Sequence, residues 1–200
     1  AEEMGANLKP SKEGLDVDIF DSFCDHLIVR DNETLKVIGT YRALPPHQAK
    51  QMGCLYSDSE FDLTRLRHLR HKMVEVGRSC VHHDYRSGGV IMALWSGLGQ
   101  YMQTNNYEIL LGCASVQMGD GGHYAASLAK MLNNEQHLSN IEYRVFPRLA
   151  LPIEELNSSL EVEPPALIKG YLRLGAKVCG NPAWDPDFNT ADFLTMLRLD

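Results

Sequence analysis

Alternating hydrophobic and polar positions predict a series of strands along the chain. His26 to Val29 and Leu35 to Ala43 flank a short polar turn, as the two strands of an antiparallel hairpin do. Val74 to Val81 has alternating apolar positions and predicts another strand, whereas Ile109 to Val116 is mostly apolar, as in a covered central strand. A closing strand pair is predicted at 176–180 and 193–199, with a loop between the two strands.

Apolar residues at helical spacing predict the elements between the strands. A short helix follows Pro45-Pro46 and stops at Gly53, because proline suits a first helical turn and glycine a left-handed end. Leucines at every third position predict a short amphipathic helix over 62–72. Further helices are predicted over 90–102, over 124–132 and between Pro164-Pro165 and Gly175. This pattern places the chain in the α/β or α+β class, as a single domain over residues 1–200.

Composition and charge narrow the class of protein. The chain has 19 Lys and Arg against 26 Asp and Glu, a net charge of −7, which argues against nonspecific nucleic-acid binding. No apolar run is long enough to cross a bilayer, and the acidic start is unlike a signal peptide. We expect a soluble, cytoplasmic protein, with peripheral contact at the inner membrane face left open. The five scattered cysteines predict reduced, mostly buried thiols and no structural zinc.

The segment Arg86-Ser87-Gly88-Gly89, between a predicted strand and a predicted helix, is a candidate phosphate site. The two glycines let main-chain N–H groups approach an anion, and the helix start adds unpaired donors and partial positive charge. The alternative is an ordinary tight turn. The glycine motif of dinucleotide-binding folds and the P-loop are both absent from the sequence, which weakens nucleotide hypotheses.

The strand before this segment carries a candidate proton acceptor. A carboxylate at strand depth beside a cleft has a raised pKa and is suited to accept a proton from an amine, and Glu75 is the candidate for such a position. The alternative is a salt bridge between Glu75 and a basic neighbour. Cys80 near His82 and His83 suggests a different hypothesis, a thiol nucleophile activated by histidine.

Three apolar and three acidic side chains are candidates for binding pockets. Met92, Trp95 and Leu98 lie on the predicted helix 90–102 and could line an apolar slot, although such a stripe also serves as core packing. Asp185, Asp187 and Asp192 could pair with an ammonium group, although the same residues are typical of a turn.

Six motifs follow one another along almost the whole chain. They are FDSFCDHLIV, VIGTYRAL, YSDSEFDL, VEVGRSCVHHDYRSGGVIMALWSGLGQYM, LLGCAS and PPALIKGYLRLGAKVCGNPAWDPDFNTADFL. Together they resemble the GCN5-related N-acetyltransferase (GNAT) superfamily, and within it the ornithine lipid acyltransferases, often labelled hemolysin-like. Acyl-homoserine-lactone synthases and N-acyl amino acid synthases are similar relatives. The resemblance implies a mixed, mainly antiparallel sheet with helices on both faces, here without the family's first strand and most of its first helix.

The resemblance also implies a reaction of lipid biosynthesis. A fatty acyl group, typically 3-hydroxyacyl, moves from acyl carrier protein to the α-amine of ornithine and gives a lyso-ornithine lipid, with no metal. The alternatives are another amine such as glycine, acyl-CoA as donor, or a silent module that binds acyl carrier protein. Where the family's donor loop ends in a small residue this chain has Ile91, which favours a single phosphopantetheine phosphate over the coenzyme A pyrophosphate.

Roles for single residues follow from the same resemblance. Glu75 is the expected proton acceptor, and Arg78 is either its partner or a wall of the acyl site. The donor phosphate is expected at the segment from Arg86 to Gly89, and pocket candidates are Asp25, His26 and Arg42. The acid-free run that contains Arg65, Arg67, Arg70 and Lys72 is expected to attract acidic acyl carrier protein, with a solvated helix face as the alternative.

Overall fold

A computed structural model describes residues 17–199, and its strands form a seven-stranded and a two-stranded sheet within this range. The strands are β1 (Asp25–Arg30), β2 (Val37–Leu44), β3 (Phe61–Asp62), β4 (Met73–Val81), β5 (Ile109–Gln117), β6 (Phe146–Pro147), β7 (Lys177–Val178), β8 (Ala183–Asp185) and β9 (Thr190–Arg198). The α-helices are α1 (Pro46–Met52), α2 (Gly89–Thr104), α3 (His123–Leu132) and α4 (Ala166–Arg173). Short 3-10 helices are at Asp21–Phe23, Tyr56–Asp58, Thr64–Lys72, His83–Tyr85, Ile141–Tyr143 and Ile153–Glu155.

The large sheet has the strand order β1-β2-β4-β5-β9-β7, and β8 also pairs with β9. Strands β4 and β5 run parallel while the other pairs are antiparallel, which confirms the predicted mixed, mainly antiparallel sheet. Each face of the sheet has its own apolar core. Leu44 and Leu66 belong to the core on the side of α1, whereas Met102 of α2 and Leu128 of α3 are buried on the opposite side.

The predicted hairpin and the helix directly after it are confirmed. The β1–β2 pair is antiparallel, and the turn is held by Asp31, whose Oδ1 accepts from the Thr34 N–H at 2.7 Å. Helix α1 begins at Pro46 and ends before Gly53, whose φ of 87° is the left-handed conformation that glycine tolerates. None of the helices in the described range is both long and apolar enough to cross a membrane.

Two predictions of secondary structure were wrong in part. The segment Thr64–Lys72 is a 3-10 helix rather than an α-helix. Leu63, Leu66 and Leu69 recur every three residues, which matches the three residues per turn of a 3-10 helix. The predicted loop between the last two strands contains a further strand, β8, which pairs with β9. Its first residue, Ala183, is buried in the core.

Strands β4 and β5 lie side by side only at their starts. The ladder pairs Met73–Glu75 with 109–111 and then stops, although both strands continue for six more residues. A β-bulge interrupts the pairing of β4 with β2 at this level, and Arg78 within it has a φ of 50°. The two strands therefore separate beyond Glu75 and leave an opening in the middle of the sheet.

Candidate active site

A cavity of about 720 Å³ occupies the opening between β4 and β5. Tyr41 and Arg42, consecutive residues of β2, both line it. Because consecutive side chains of a strand point to opposite faces, the cavity passes through the sheet. Helices α2 and α4 line its end on one face, and the turn at Tyr56–Asp58 together with β9 lines its end on the other.

Glu75 lies buried in the wall of this cavity and accepts three hydrogen bonds. Its Oε1 accepts from the N–H and the hydroxyl of Ser57 at 2.7 and 2.5 Å, and its Oε2 accepts from the Tyr56 N–H at 2.6 Å. Burial raises the pKa of Glu75, although the bonds from Ser57 and Tyr56 act in the opposite direction. Glu75 therefore lies at the cavity, and its role as proton acceptor stays a prediction. The alternative of a salt bridge finds no support, because main-chain and hydroxyl donors hold this carboxylate.

Arg42 lines the same face of the cavity as Glu75 and belongs to a charge network. Its Nη1 donates to both oxygens of Asp18 and to Oδ1 of Asp21, each at 2.8 Å. Arg78 belongs to the same charge network, because its Nη2 lies 3.0 Å from Oδ2 of Asp18. Arg78 also lines the cavity, so the structure places it at the wall and pairs it with an aspartate.

Three carboxylates converge at the β9 side of the cavity. One oxygen each of Glu60, Asp185 and Asp192 lies within 4.8 Å of the others, and both aspartates line the cavity. Burial, followed by the charges of the two aspartates, raises the pKa of Glu60 to about 7. Burial also raises the pKa of Asp192, with Asp185 adding to the effect. Such a cluster favours a bound cation, because a positive charge relieves the repulsion.

Glu60 and Tyr56 were missed from the sequence, and Asp187 is less central than predicted. Glu60 is an ordinary acidic residue within YSDSEFDL, and no spacing rule connects it with Asp185 and Asp192, which lie 125 and 132 positions later. Asp187 is exposed, and its N–H donates to Oδ1 of Asp185 at 2.9 Å, so this part of the turn also positions Asp185.

The opposite end of the cavity is mainly apolar. Met92, Trp95 and Leu98 of α2 line it, while other residues of the same helix pack into the core, and the role of these three as an acyl slot stays a prediction. Tyr41 and Tyr171 also line this end and share a hydrogen bond between their hydroxyl groups. The centres of the Trp95 and Tyr171 rings lie 5.8 Å apart. The edge of the Trp95 ring packs against Gly170, where an added Cβ would lie 2.2 Å from Cη2 of Trp95.

The candidate phosphate segment forms the N-terminal tip of α2. Gly88 is the N-cap residue with a φ of 99°, and Gly89 begins the helix. Arg86 is exposed and its Nε donates to the Val81 carbonyl oxygen at 3.2 Å. The helix geometry leaves the first main-chain N–H groups without an intrahelical acceptor, so this tip suits an anion.

Several other candidates lie away from the cavity wall. Asp25 accepts from the Tyr101 hydroxyl at 2.6 Å, and Nε2 of His26 lies 3.3 Å from the Asp21 carbonyl oxygen, both at exposed positions. The hypothesis of a histidine-activated thiol gains no support, because neither Cys80 nor its two histidines line the cavity.

The prediction of mostly buried cysteines was wrong. All five cysteines are free, but among them only Cys179 is fully buried, whereas Cys80 is exposed on the part of β4 that lies beyond the bulge. Cys113 lies in the cavity wall with Sγ 3.5 Å from Oγ of Ser57. Burial and the charge of Asp192 raise the pKa of Cys113, so this side chain is a thiol rather than a nucleophilic thiolate.

The predicted basic face is only partly open. Arg70 pairs with Asp58, and Lys72 lies 2.6 Å from Glu108, so both side chains have partners within the fold. Arg65 stacks its guanidinium 5.1 Å from the Phe146 ring centre and remains exposed. Arg67 is exposed as well.

Comparison of sequences gives relatives along the full described chain. Residues 1–96 match a family model described as the acetyltransferase (GNAT) domain. An L-ornithine N(alpha)-acyltransferase of Brucella abortus is 33% identical over 214 residues, which cover 100% of this chain and 76% of the relative. The enzyme of the same name from Rhodobacter capsulatus is 36% identical over 195 residues, which cover 92% of this chain and 74% of the relative.

Comparison of structures supports the same fold. A CoA-dependent acyl-homoserine lactone synthase, BjaI, superposes with a TM-score of 0.54 at 12% identity, covering 96% of this chain and 66% of that protein. The CoA-dependent acyl-homoserine lactone synthase MesI gives a TM-score of 0.52 at 13% identity, and the superposition covers 98% of this chain and 71% of that protein.

Proposed function

Since the chain belongs to the GNAT family of N-acyltransferases, we propose that it transfers a fatty acyl group from a thioester to the α-amine of ornithine. The observation that carries this proposal is the cavity through the sheet, with an apolar end beside α2 and, at the other end, Asp185 and Asp192 in its wall with Glu60 next to them. A fatty acyl donor needs the apolar end. A diamino acid with a side-chain ammonium needs the acidic end.

The donor is proposed to be acyl carrier protein, whose phosphopantetheine phosphate binds at the tip of α2. Ser87, Gly88 and Gly89 offer main-chain donors there, and Arg86 adds a charge. From this tip the arm runs along Met92 to the opening between β4 and β5. Arg65 and Arg67, the exposed arginines of the basic run, are proposed to attract the acidic carrier.

In the reaction, the neutral α-amine attacks the thioester carbonyl carbon, a C–N bond forms, and the C–S bond breaks. We assign the proton of the amine to Glu75, which faces the cavity, has a raised pKa and keeps one acceptor position beyond its three hydrogen bonds. The main chain of β4 beyond Glu75, where the ladder to β5 has ended, supplies donors for the oxyanion. Glu75 then gives this proton to the sulfur as the C–S bond breaks, so that the products are the amide and the free thiol and Glu75 is again a carboxylate.

Ornithine is proposed to place its side-chain ammonium among Glu60, Asp185 and Asp192. Norvaline provides a sharp control, because it has the carbon skeleton and α-amine of ornithine but no side-chain amine. An ion-paired hydrogen bond contributes about 1.5–3 kcal/mol, so ornithine should be preferred over norvaline by about 10-fold or more in kcat/KM. Glu60→Gln should reduce this preference, whereas Glu161→Gln, at an exposed carboxylate outside the cavity, should leave it unchanged.

Release of free thiol tests the whole proposal. The purified chain is incubated with 3-hydroxyacyl carrier protein or with the matching acyl-CoA, together with ornithine, glycine or no amine, and the product is identified by mass spectrometry. Ornithine-dependent thiol release with an N-acyl ornithine product is expected with the carrier protein. Binding of the carrier protein without thiol release would contradict the proposal of an enzyme. Thiol release only with acyl-CoA would contradict the proposal that acyl carrier protein is the donor. Because a long-chain product is an amphiphile, we place its release at the cytoplasmic membrane surface.

A further inference from the structure

One edge of the Arg42 guanidinium is left open toward the cavity. The hydrogen bonds that Arg42 donates to Asp18 and Asp21 all come from Nη1. Nε and Nη2 have no hydrogen-bond partner among the described residues, and neither belongs to the fully enclosed unpaired atoms of this part of the chain. Arg42 is only 7% exposed and lines the cavity, so both donors face the space inside it. Buried donors are usually paired, so this edge points to an acceptor on a ligand.

The shape and charge of this edge suit a carboxylate. Nε and Nη2 lie on the same side of the planar guanidinium, and a carboxylate accepts from such a pair through two parallel hydrogen bonds. The two aspartates hold Nη1, and the Phe20 ring centre lies 5.9 Å from Cζ of Arg42. The guanidinium is therefore held in one orientation, and a carboxylate can bind its open edge at little cost in side-chain entropy.

Arg42 and Glu75 lie on the same face of neighbouring strands. In the ladder between β2 and β4, Arg42 is paired with Gly77 and Leu44 is paired with Glu75, so Arg42 and Glu75 are diagonal neighbours. Residues in such diagonal positions are about 7–8 Å apart. Gly77 lies on this face opposite Arg42, and a Cβ added there would have no atom within 4 Å. An anion-binding donor and a cation-binding acceptor therefore flank an open space in the cavity wall.

An α-amino acid carries the complementary pair of groups on a single carbon atom. Its amine would lie at Glu75, and its carboxylate would lie at Arg42. Cys113 connects this place with the acidic end of the cavity. Its Sγ is 3.5 Å from Oγ of Ser57, which is a partner of Glu75, while burial and then the charge of Asp192 raise its pKa. The two places are therefore neighbours in the cavity, as a single diamino acid requires.

We propose that Arg42 binds the α-carboxylate of the acceptor and thereby decides which of its two amines is acylated. This inference rests on the proposed acyl transfer to ornithine. With the carboxylate on Arg42, the α-amine is the nitrogen beside Glu75, and the δ-amine lies among the acidic side chains. Without that contact, both ends of the acceptor present the same group, an amine, and either end could face Glu75. A site built to bond a substrate group also discriminates strongly against the analogue that lacks it.

The test compares ornithine with putrescine, which is ornithine without the carboxylate, at one fixed acyl donor. For wild-type protein we expect kcat/KM to be about 10-fold or more higher for ornithine. In Arg42→Gln this ratio should fall towards one, because only ornithine carries the group that Arg42 binds. Arg42→Lys, which keeps the charge beside the aspartates but loses the paired donors, should lower the ratio less. Fragment mass spectra should place the acyl group on the α-nitrogen of ornithine for wild type, and on both nitrogens for Arg42→Gln.

The control is Asp18→Asn, which weakens the same charge network but keeps the guanidinium, so the ratio should not fall below that of wild type. Equal wild-type kcat/KM for ornithine and putrescine would overturn the inference while the proposed acyl transfer stands, and this comparison needs no variant. An ornithine preference that is unchanged in Arg42→Gln and Arg42→Lys would also overturn it, because the carboxylate would then be bound elsewhere. Absence of N-acyl product from both amines would overturn both proposals.

Discussion

Replacement of Glu75 by glutamine separates a chemical role of this residue from a structural one. Glutamine keeps one acceptor oxygen but introduces an NH2 group that cannot accept a hydrogen bond. With its oxygen left on Ser57, the NH2 group faces the Tyr56 N–H, which is bonded at 2.6 Å in the native protein. One charge-assisted bond is lost and one buried N–H is left unpaired, at a cost of about 2–3 kcal/mol. For a protein of this size, the melting temperature should fall by about 5–10 °C.

The effect on turnover is the decisive measurement. If Glu75 takes the amine proton, Glu75→Gln should reduce kcat by about 100-fold or more at a temperature where the variant is folded. Ser57→Ala is the matched control, because it removes the 2.5 Å bond from the hydroxyl and leaves the carboxylate in place. We expect this control to lose about 1–2 kcal/mol of stability and to keep kcat within a few-fold.

Calorimetric melting and initial rates of thiol release measure both quantities on the same samples. Equal kcat values for Glu75→Gln and Ser57→Ala, with both proteins melting below wild type, would refute the proton-transfer role. Glu75 would then serve only to hold the turn of Tyr56 and Ser57 against β4.

Three further predictions follow from the same geometry. The pKa of Glu60 is about 7 in the folded protein against an ordinary 4.5, so the stability that its protonated form contributes is lost as the pH rises through 7. The melting temperature of Glu60→Gln, measured relative to that of wild type, should therefore be higher at pH 8 than at pH 5. Gly112→Ala should strongly destabilise the fold in thermal melts, because an added Cβ would lie 2.4 Å from the Val76 carbonyl oxygen; a melting temperature equal to wild type would contradict this. Arg86→Ala should raise KM for both carrier-protein and CoA donors, whereas Arg67→Ala should raise KM for the carrier protein alone; a uniform effect of both variants would contradict separate phosphate and carrier contacts.

The strands and the hairpin could be predicted from the sequence because their signals are local. The alternation along β4 placed Glu75 and Arg78 within one strand, and the turn signals around α1 gave both of its ends. The leucine repeat of Thr64–Lys72 was visible too, but its period of three fits a 3-10 helix better than an α-helix.

The grouping of side chains around the cavity could not be predicted, because it depends on long-range pairing. Glu60 meets Asp185 and Asp192 only after β9 has paired with β5 and β8. Tyr41 and Tyr171 are 130 positions apart and meet only when α4 lies across the sheet. The partners of Glu75 come from a turn 18 and 19 residues earlier, and no charge pattern indicated that main-chain donors would replace a basic partner.

The gap between β4 and β5 has a consequence for the order of events during turnover. Because it opens on both faces of the sheet, the proposed thioester donor and amine acceptor would each have an entrance of its own, and both would bind before the first product leaves. No covalent acyl-enzyme is then required, and initial-rate plots with both substrates varied should give intersecting rather than parallel lines.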